Sequence, residues 1–264
     1  MFREIFLSAS IAGLLAALIL TLLQMVWVTP LILHAETYED APASAPIAAL
    51  QAAPAAGTDA HEHPEAAHER MHNHDQYATT AIHEHDHHHD ADDWKPTDGI
   101  QRTLFTLTSN VVMGVAYALL LIGVYTVWRR PQGLAQGLLF GLAGFAVFFA
   151  APGLGLPPEL PGTEVAALAA RQQWWIGTAV ATALGLALLF VQRNGLLRGA
   201  GVLLLVAPHL LGAPHLATET SLAPAELQTH FRLATAACNA VFWLLLGTIS
   251  AVSLQKLSAP QPEN

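Results

Sequence analysis

The stretch IFLSASIAGLLAALILTLLQMVWVTPLIL, residues 5–33, runs for 29 residues without a charged side chain. The hydrocarbon core of a bilayer is roughly 30 Å thick and takes about 20 helical residues to cross, so this stretch reads as a spanning helix. A secretory signal peptide is the competing reading, with APASA at 41–45 as its cleavage site. The run is longer than the ~7–15 apolar residues of a signal-peptide core, so an uncleaved anchor is expected.

Five more apolar runs follow it. The six expected spans are Ile5–Leu33, Thr103–Trp128, Leu134–Ala151, Trp174–Gln192, Leu196–Gly212 and Leu233–Leu254. The fifth is the weakest, with 17 residues and Pro208 near its end. Were it re-entrant, the C-terminus would change side. The expected fold is an all-α polytopic membrane protein of six transmembrane helices arranged as three hairpins. Of the 264 residues, 53% are hydrophobic and only 12% charged, which excludes an ordinary soluble domain. The single Cys238 leaves no disulfide framework and no paired-cysteine metal site. Lys95 and Lys256 are the only lysines, and neither follows a phosphate-loop pattern, so no nucleotide chemistry is expected. Nothing in the chain resembles a basic nucleic-acid surface.

Charge sets the expected orientation. Arg129, Arg130, Arg193 and Arg198 occupy short connections, while Arg3 and Lys256 flank the ends; such segments stay cytoplasmic. Glu159, Glu164, Glu219 and Glu226 fall in the opposite connections. Both termini are therefore expected inside, in a bacterial inner membrane, and every histidine on or near the outer face. The expected organisation is a first helix over 1–34, a polar loop over 35–100, a five-helix remainder over 101–256 and a cytoplasmic tail over 257–264.

That loop holds ten of the fourteen histidines, His61, His63, His68, His72, His74, His83, His85, His87, His88 and His89, interleaved with acids. It is expected to be largely disordered and periplasmic. Neutral imidazole suits cobalt, nickel, copper and zinc, while carboxylate and water complete the shell, so the loop reads as a collector of divalent metal. Clusters of this kind follow the Irving–Williams order and cannot by themselves prefer cobalt to nickel or copper. The bland alternative is a solvated low-complexity segment or a tag, but a tag is normally terminal and unmixed.

The three hairpins look alike. Pro30, Pro152 and Pro208 lie near the outer ends of the outgoing helices. Arg102, Arg171 and Arg232 begin the returning ones, with Asn110, Thr178 and Asn239 seven or eight residues deeper. A parallel, pseudo-threefold repeat would produce this pattern; so would the ordinary habits of proline at helix ends and arginine at membrane borders. No acid, lysine or arginine lies at depth in the spans, which argues against a self-sufficient ion-coupled carrier. Gln24, Asn110, Thr178 and Asn239 are the candidates to line a pathway, against the alternative of helix–helix hydrogen bonding. Gly133, Gly137, Gly141 and Gly144 fit close helix packing. At the outer helix ends, His34, Glu36, Glu159, His209 and His215 are candidate metal ligands, and Trp27, Trp174, Trp175 and Trp128 are expected interface anchors.

Four phrases then carry a resemblance. MFREIFLSASIAGLLAALILTLLQMVWVTPLILHAETYE, GLAGFAVFFAAPGLGLPPELPG, RQQWWIGTA and APHLLGAP, in that order, resemble the CbtA family of bacterial cobalt transporter subunits. The likeness spans nearly the whole chain outside residues 40–95. It implies cobalt uptake linked to cobalamin supply, with a cobalt ion as transported substrate (nickel or zinc being alternatives) and a small single-span CbtB-type partner in the lipid bilayer. The outer-face phrases of the family land on Glu159, His209 and His215. The expected function is the membrane subunit of a cobalt uptake system. The alternative is a membrane-bound nickel, cobalt or zinc buffer or sensor that does not translocate. No Ser/His/Asp set, HExxH or paired intramembrane carboxylates suggest an enzyme.

Overall fold

The computed structural model describes residues 2–39, 96–127, 133–216 and 220–258. The histidine-rich stretch, Trp128, Arg129, Arg130, Glu219 and the C-terminal tail lie outside the described residues. What is described is helical: α1 Phe2–Glu39, α2 Ile100–Val127, α3 Leu134–Gly155, α4 Leu168–Val191, α5 Gly195–Leu211 and α6 Ala225–Ser258. Five of these are long and apolar enough to cross a membrane, and α5, at 17 residues, is the short one.

α5 nonetheless returns to the level from which α4 started. The His209 ring near its end meets Trp174 near the start of α4, with centroids 6.2 Å apart. Similarly, Glu36 near the end of α1 pairs with Arg102 near the start of α2. The α3–α4 connection bridges the α5–α6 connection through Thr163 and Ser221. The helices thus alternate in direction, with the ends of α1, α3 and α5 gathered at one end of the bundle, called here the outer end. At roughly 1.5 Å per residue, the 38 residues of α1 make a rod of about 57 Å, so it overruns a bilayer core by several turns.

Two helices are interrupted by π-turns, and both interruptions have the same cause. Pro30 has no N–H to give to Val26, and Pro152 none for Phe148. In each case the residue just before the proline bonds five residues back instead of four: Thr29 N to Gln24 O, and Ala151 N to Ala146 O. The π-turns are Gln24–Val28 and Ala146–Ala150. Pro208 sits in a helix that stays α and simply ends three residues later, at Leu211.

The dominant helix pairs are α1 with α2, α3 with α6, and α4 with α5, and α6 also packs along α1. Glycine and alanine permit the close approaches. A Cβ on Gly114 would lie 2.7 Å from Gly13 O, one on Gly137 2.9 Å from Gly247 O, and one on Gly185 2.9 Å from Gly201 O. Three of the four glycines read as packing residues, Gly137, Gly141 and Gly144, are buried in the α3–α6 seam. Gly133 instead adopts a φ of 97° ahead of α3, where a side chain would be strained. Ala9, Ala12 and Ala16 of α1 are fully buried, with Ile122 and Leu246 in the same core, while Leu14, Leu15 and Leu18 face outward as lipid-facing residues do.

Candidate metal-handling outer end

The outer end is built on the loop LPPELPG, residues 156–162. Its prolines cannot continue α3, and its free carbonyls and N–H groups are taken up by α6. Gln228 Oε1 accepts from Leu160 N at 3.1 Å, and Gln228 Nε2 donates to Pro158 O at 3.2 Å. Leu160 is thereby buried, and Gly162, at φ 74°, turns the chain against Glu39 and Leu222. Thr220 then donates its hydroxyl to Glu164 at 2.6 Å, and Glu164 N donates to Thr220 O at 3.0 Å.

Between this loop, α1, α4 and α6 opens a groove of about 1000 Å³. Glu159, Thr163, Arg171 and Gln172 supply its polar lining, and Phe148, Trp175 and Phe231 are among its apolar walls. Glu159 is held by the Arg171 guanidinium at 3.2 Å. Across the outer end, Glu36 takes both Arg102 nitrogens, at 2.6 and 3.2 Å, while Arg102 also reaches Asp98 at 2.9 Å. Both site carboxylates are therefore paired with arginines, Glu36 through both oxygens and Glu159 through Oε2, so a cation approaching either meets a guanidinium beside it.

The imidazoles are placed separately. His34 lies against Tyr38, 5.5 Å between ring centroids, and His209 stands edge-on to Trp174. His215 is exposed on the segment after α5. Among the described residues, no three His, Cys, Asp or Glu side chains come together to hold a metal ion. The five outer-end candidates are thus at one end of the bundle but do not form a ready-made shell. Trp174 and Trp175 also differ from simple interface anchors: they turn inward, Trp174 over Gly155 and Trp175 toward Phe148. Trp27 remains half-exposed on the lipid side.

Of the four candidate pathway residues, two meet. Asn110 Nδ2 donates to Gln24 Oε1 at 2.7 Å and to Thr21 Oγ1 at 2.9 Å, just at the π-turn of α1. Asn239 instead donates to its own helix, at Thr235 O, 3.0 Å away. Thr178 is buried with its hydroxyl unpartnered among the described residues, as are the hydroxyls of Thr182 and Thr235. Thr21 escapes notice in the sequence because a lone hydroxyl on an apolar helix carries no spacing signal, and Gln228 because it sits in AELQTHFR, the polar start of α6, where one amide does not stand out. Arg171 was visible there only as a border arginine, not as the partner of Glu159.

No curated protein and no solved structure is similar enough to match the chain. A family model described as "Probable cobalt transporter subunit (CbtA)" matches residues 2–255, which takes in every helix described above almost to the end of α6. The chain therefore belongs to the CbtA family of probable cobalt transporter subunits.

Proposed function

We propose that this protein is the multi-pass membrane subunit of a cobalt uptake system, with its outer end facing the periplasm and both termini in the cytoplasm of a bacterial inner membrane. The observation that carries this reading is the coincidence of the family match with a largely apolar groove at the acidic end of the bundle, into which Glu159, Arg171 and Gln172 bring polar groups. Cobalt is written here as cargo, and nickel and zinc remain chemically admissible. Residues 61–89 supply imidazoles that concentrate the ion outside. Glu159 offers the first carboxylate of the pathway, and His34, Glu36, His209 and His215 add donors around it. A small single-span CbtB-type subunit is the expected partner, and the link to cobalamin supply comes with the family resemblance.

The shared order of π-turn and proline in α1 and α3 supports a repeat across the first two hairpins. Extending it to the third rests on the sequence pattern around Pro208 alone.

The second reading, a metal buffer or sensor that binds without translocating, is favoured by the lack of a charged residue at depth in the spans. Deleting residues 58–93 separates the two. A collector for a transporter leaves uptake at abundant cobalt largely intact and lowers it when cobalt is scarce. A buffer without transport shows no cobalt entering the cell in either chain.

A further inference from the structure

Helix against helix, the α4–α5 pair packs on the rest of the bundle mainly through one short segment, with the Arg171–Glu159 ion pair beside it at the outer end. Its main packing outside the pair runs through Ala146–Gly155, the outer part of α3. Below that segment α3 has a different partner: Leu134–Phe145 packs along α6, where Gly137 and Gly141 meet the backbone at Gly247 and Trp243. The π-turn Ala146–Ala150 lies where α3 changes partner. It is also the softest point of that helix, because Pro152 leaves the Phe148 carbonyl without its α-helical donor and one bond is already stretched to the five-residue form.

The groove lies between the two bodies. Ile32 and Phe231 line it from the α1–α2–α6 side, and Trp175 and Ile176 line it from α4. Phe148, carried on the π-turn, touches both. Its ring lies flat on Trp243, with planes 3° apart and centroids 5.3 Å apart, and stands 6.3 Å from Trp175. Tyr117 of α2 backs the stack at 4.9 Å from Phe148 and 4.8 Å from Trp243. The loop over 156–162 belongs to the α6 side, pinned there by Gln228, and Thr163 and Glu164 are held to Ser221 and Thr220, so residues 165–167 form the second joint into α4 and the α5–α6 connection the third.

We propose that α4 and α5 form an arm that rocks on the π-turn of α3, and that Phe148 is the latch holding the arm closed over the floor of the groove. A hinge at an irregular helical turn between two well-packed bodies is a recurrent way to open and close a site. The aromatic stack below the groove seals it by packing, as an apolar constriction does in a channel. Swinging the arm lifts Phe148 from Trp243 and changes the depth to which the groove reaches. The use of this motion in uptake rests on the proposed transport role, but the motion itself can be read without any transport.

The test measures spin-label distances in the full chain in lipid bilayers, with Cys238→Ser removing the native thiol. Met113 on α2, Val202 on α5 and Val180 on α4 are exposed positions for cysteine labels. The Met113–Val202 pair reports arm against body, and the Val180–Val202 pair lies within the arm. The hinge gives two Met113–Val202 distances separated by about 5 Å, with their proportions moved by added cobalt chloride, and one Val180–Val202 distance. Phe148→Ala shifts the Met113–Val202 population toward the open distance without cobalt, whereas Phe148→Tyr, which keeps the ring, does not. A single Met113–Val202 distance, unchanged by cobalt, overturns the hinge even if Phe148→Ala fails to fold. Two distances whose proportions ignore Phe148→Ala overturn the latch. Loss of cobalt uptake with the two distances retained would strike the transport role and leave the hinge standing.

Discussion

Asn110 Nδ2 lies 2.7 Å from Gln24 Oε1, joining α2 to α1 at the one place where α1 widens into a π-turn. Thr21 completes the set at 2.9 Å. An amide pair between membrane helices is worth about 0.6–1.7 kcal/mol by double-mutant cycles. Gln24→Leu and Asn110→Leu should therefore couple by that amount in unfolding measurements in detergent. Additive effects with no coupling would mean that the contact does not persist in the folded protein.

The seam between α3 and α6 should be intolerant of bulk. A Cβ at Gly137 already falls 2.9 Å from Gly247 O, where only backbone stands to move. Gly137→Leu should cost at least about 1–3 kcal/mol, the usual penalty for overpacking, and lower the yield of folded protein. Gly177→Ala, at an open position on α4, should be silent by the same thermal-unfolding assay.

Neither outer ion pair is expected to hold the fold together, and Glu159 is the carboxylate that lines the groove. Glu36 and Arg102 are about a third exposed, so Glu36→Gln should change stability by less than about 1 kcal/mol. Glu159→Gln should do as little to stability but raise the cobalt concentration for half-maximal uptake by about tenfold, equivalent to 1.4 kcal/mol of lost binding. Unchanged uptake in Glu159→Gln would remove that carboxylate from the pathway.

Much of this architecture was legible in the sequence because a membrane span is a matter of length and apolarity. All six helices fall where apolar runs predict them. The ends of α1 and α6 run further, since a helix can continue past the bilayer while its N–H groups remain bonded, whereas α5 keeps the expected 17 residues. The helix pairings were not legible: connectivity suggests α3 beside α4 throughout, whereas glycine at 137, 141 and 247 draws the inner half of α3 onto α6. The pairing of Glu159 with Arg171 and the stack of Phe148 on Trp243 were equally hidden, because both depend on distances between elements that no local pattern records. Pro30 and Pro152 announced a disturbance in their helices, but not that it would take the form of a π-turn.

The histidine-rich stretch can be tested as a peptide covering residues 58–93. It should bind several divalent ions, nickel and copper more tightly than cobalt, in the Irving–Williams order. Metal binds neutral imidazole, so titration should release protons, and affinity should fall below about pH 6 as side chains of ordinary pKa near 6.5 become charged. Calorimetry that finds one site preferring cobalt to nickel would instead make this segment the source of selectivity.

The proposed function requires cobalt to cross the membrane through a system containing this chain. Uptake of radioactive cobalt into cells lacking other cobalt transporters tests it most directly, comparing the chain with its single-span partner, the chain alone and Glu159→Gln. Saturable accumulation is expected inside cells carrying chain and partner, and accumulation weakened at low cobalt in Glu159→Gln. Cobalt that stays bound at the cell surface, fully removed by an impermeant chelator in every strain, would contradict it.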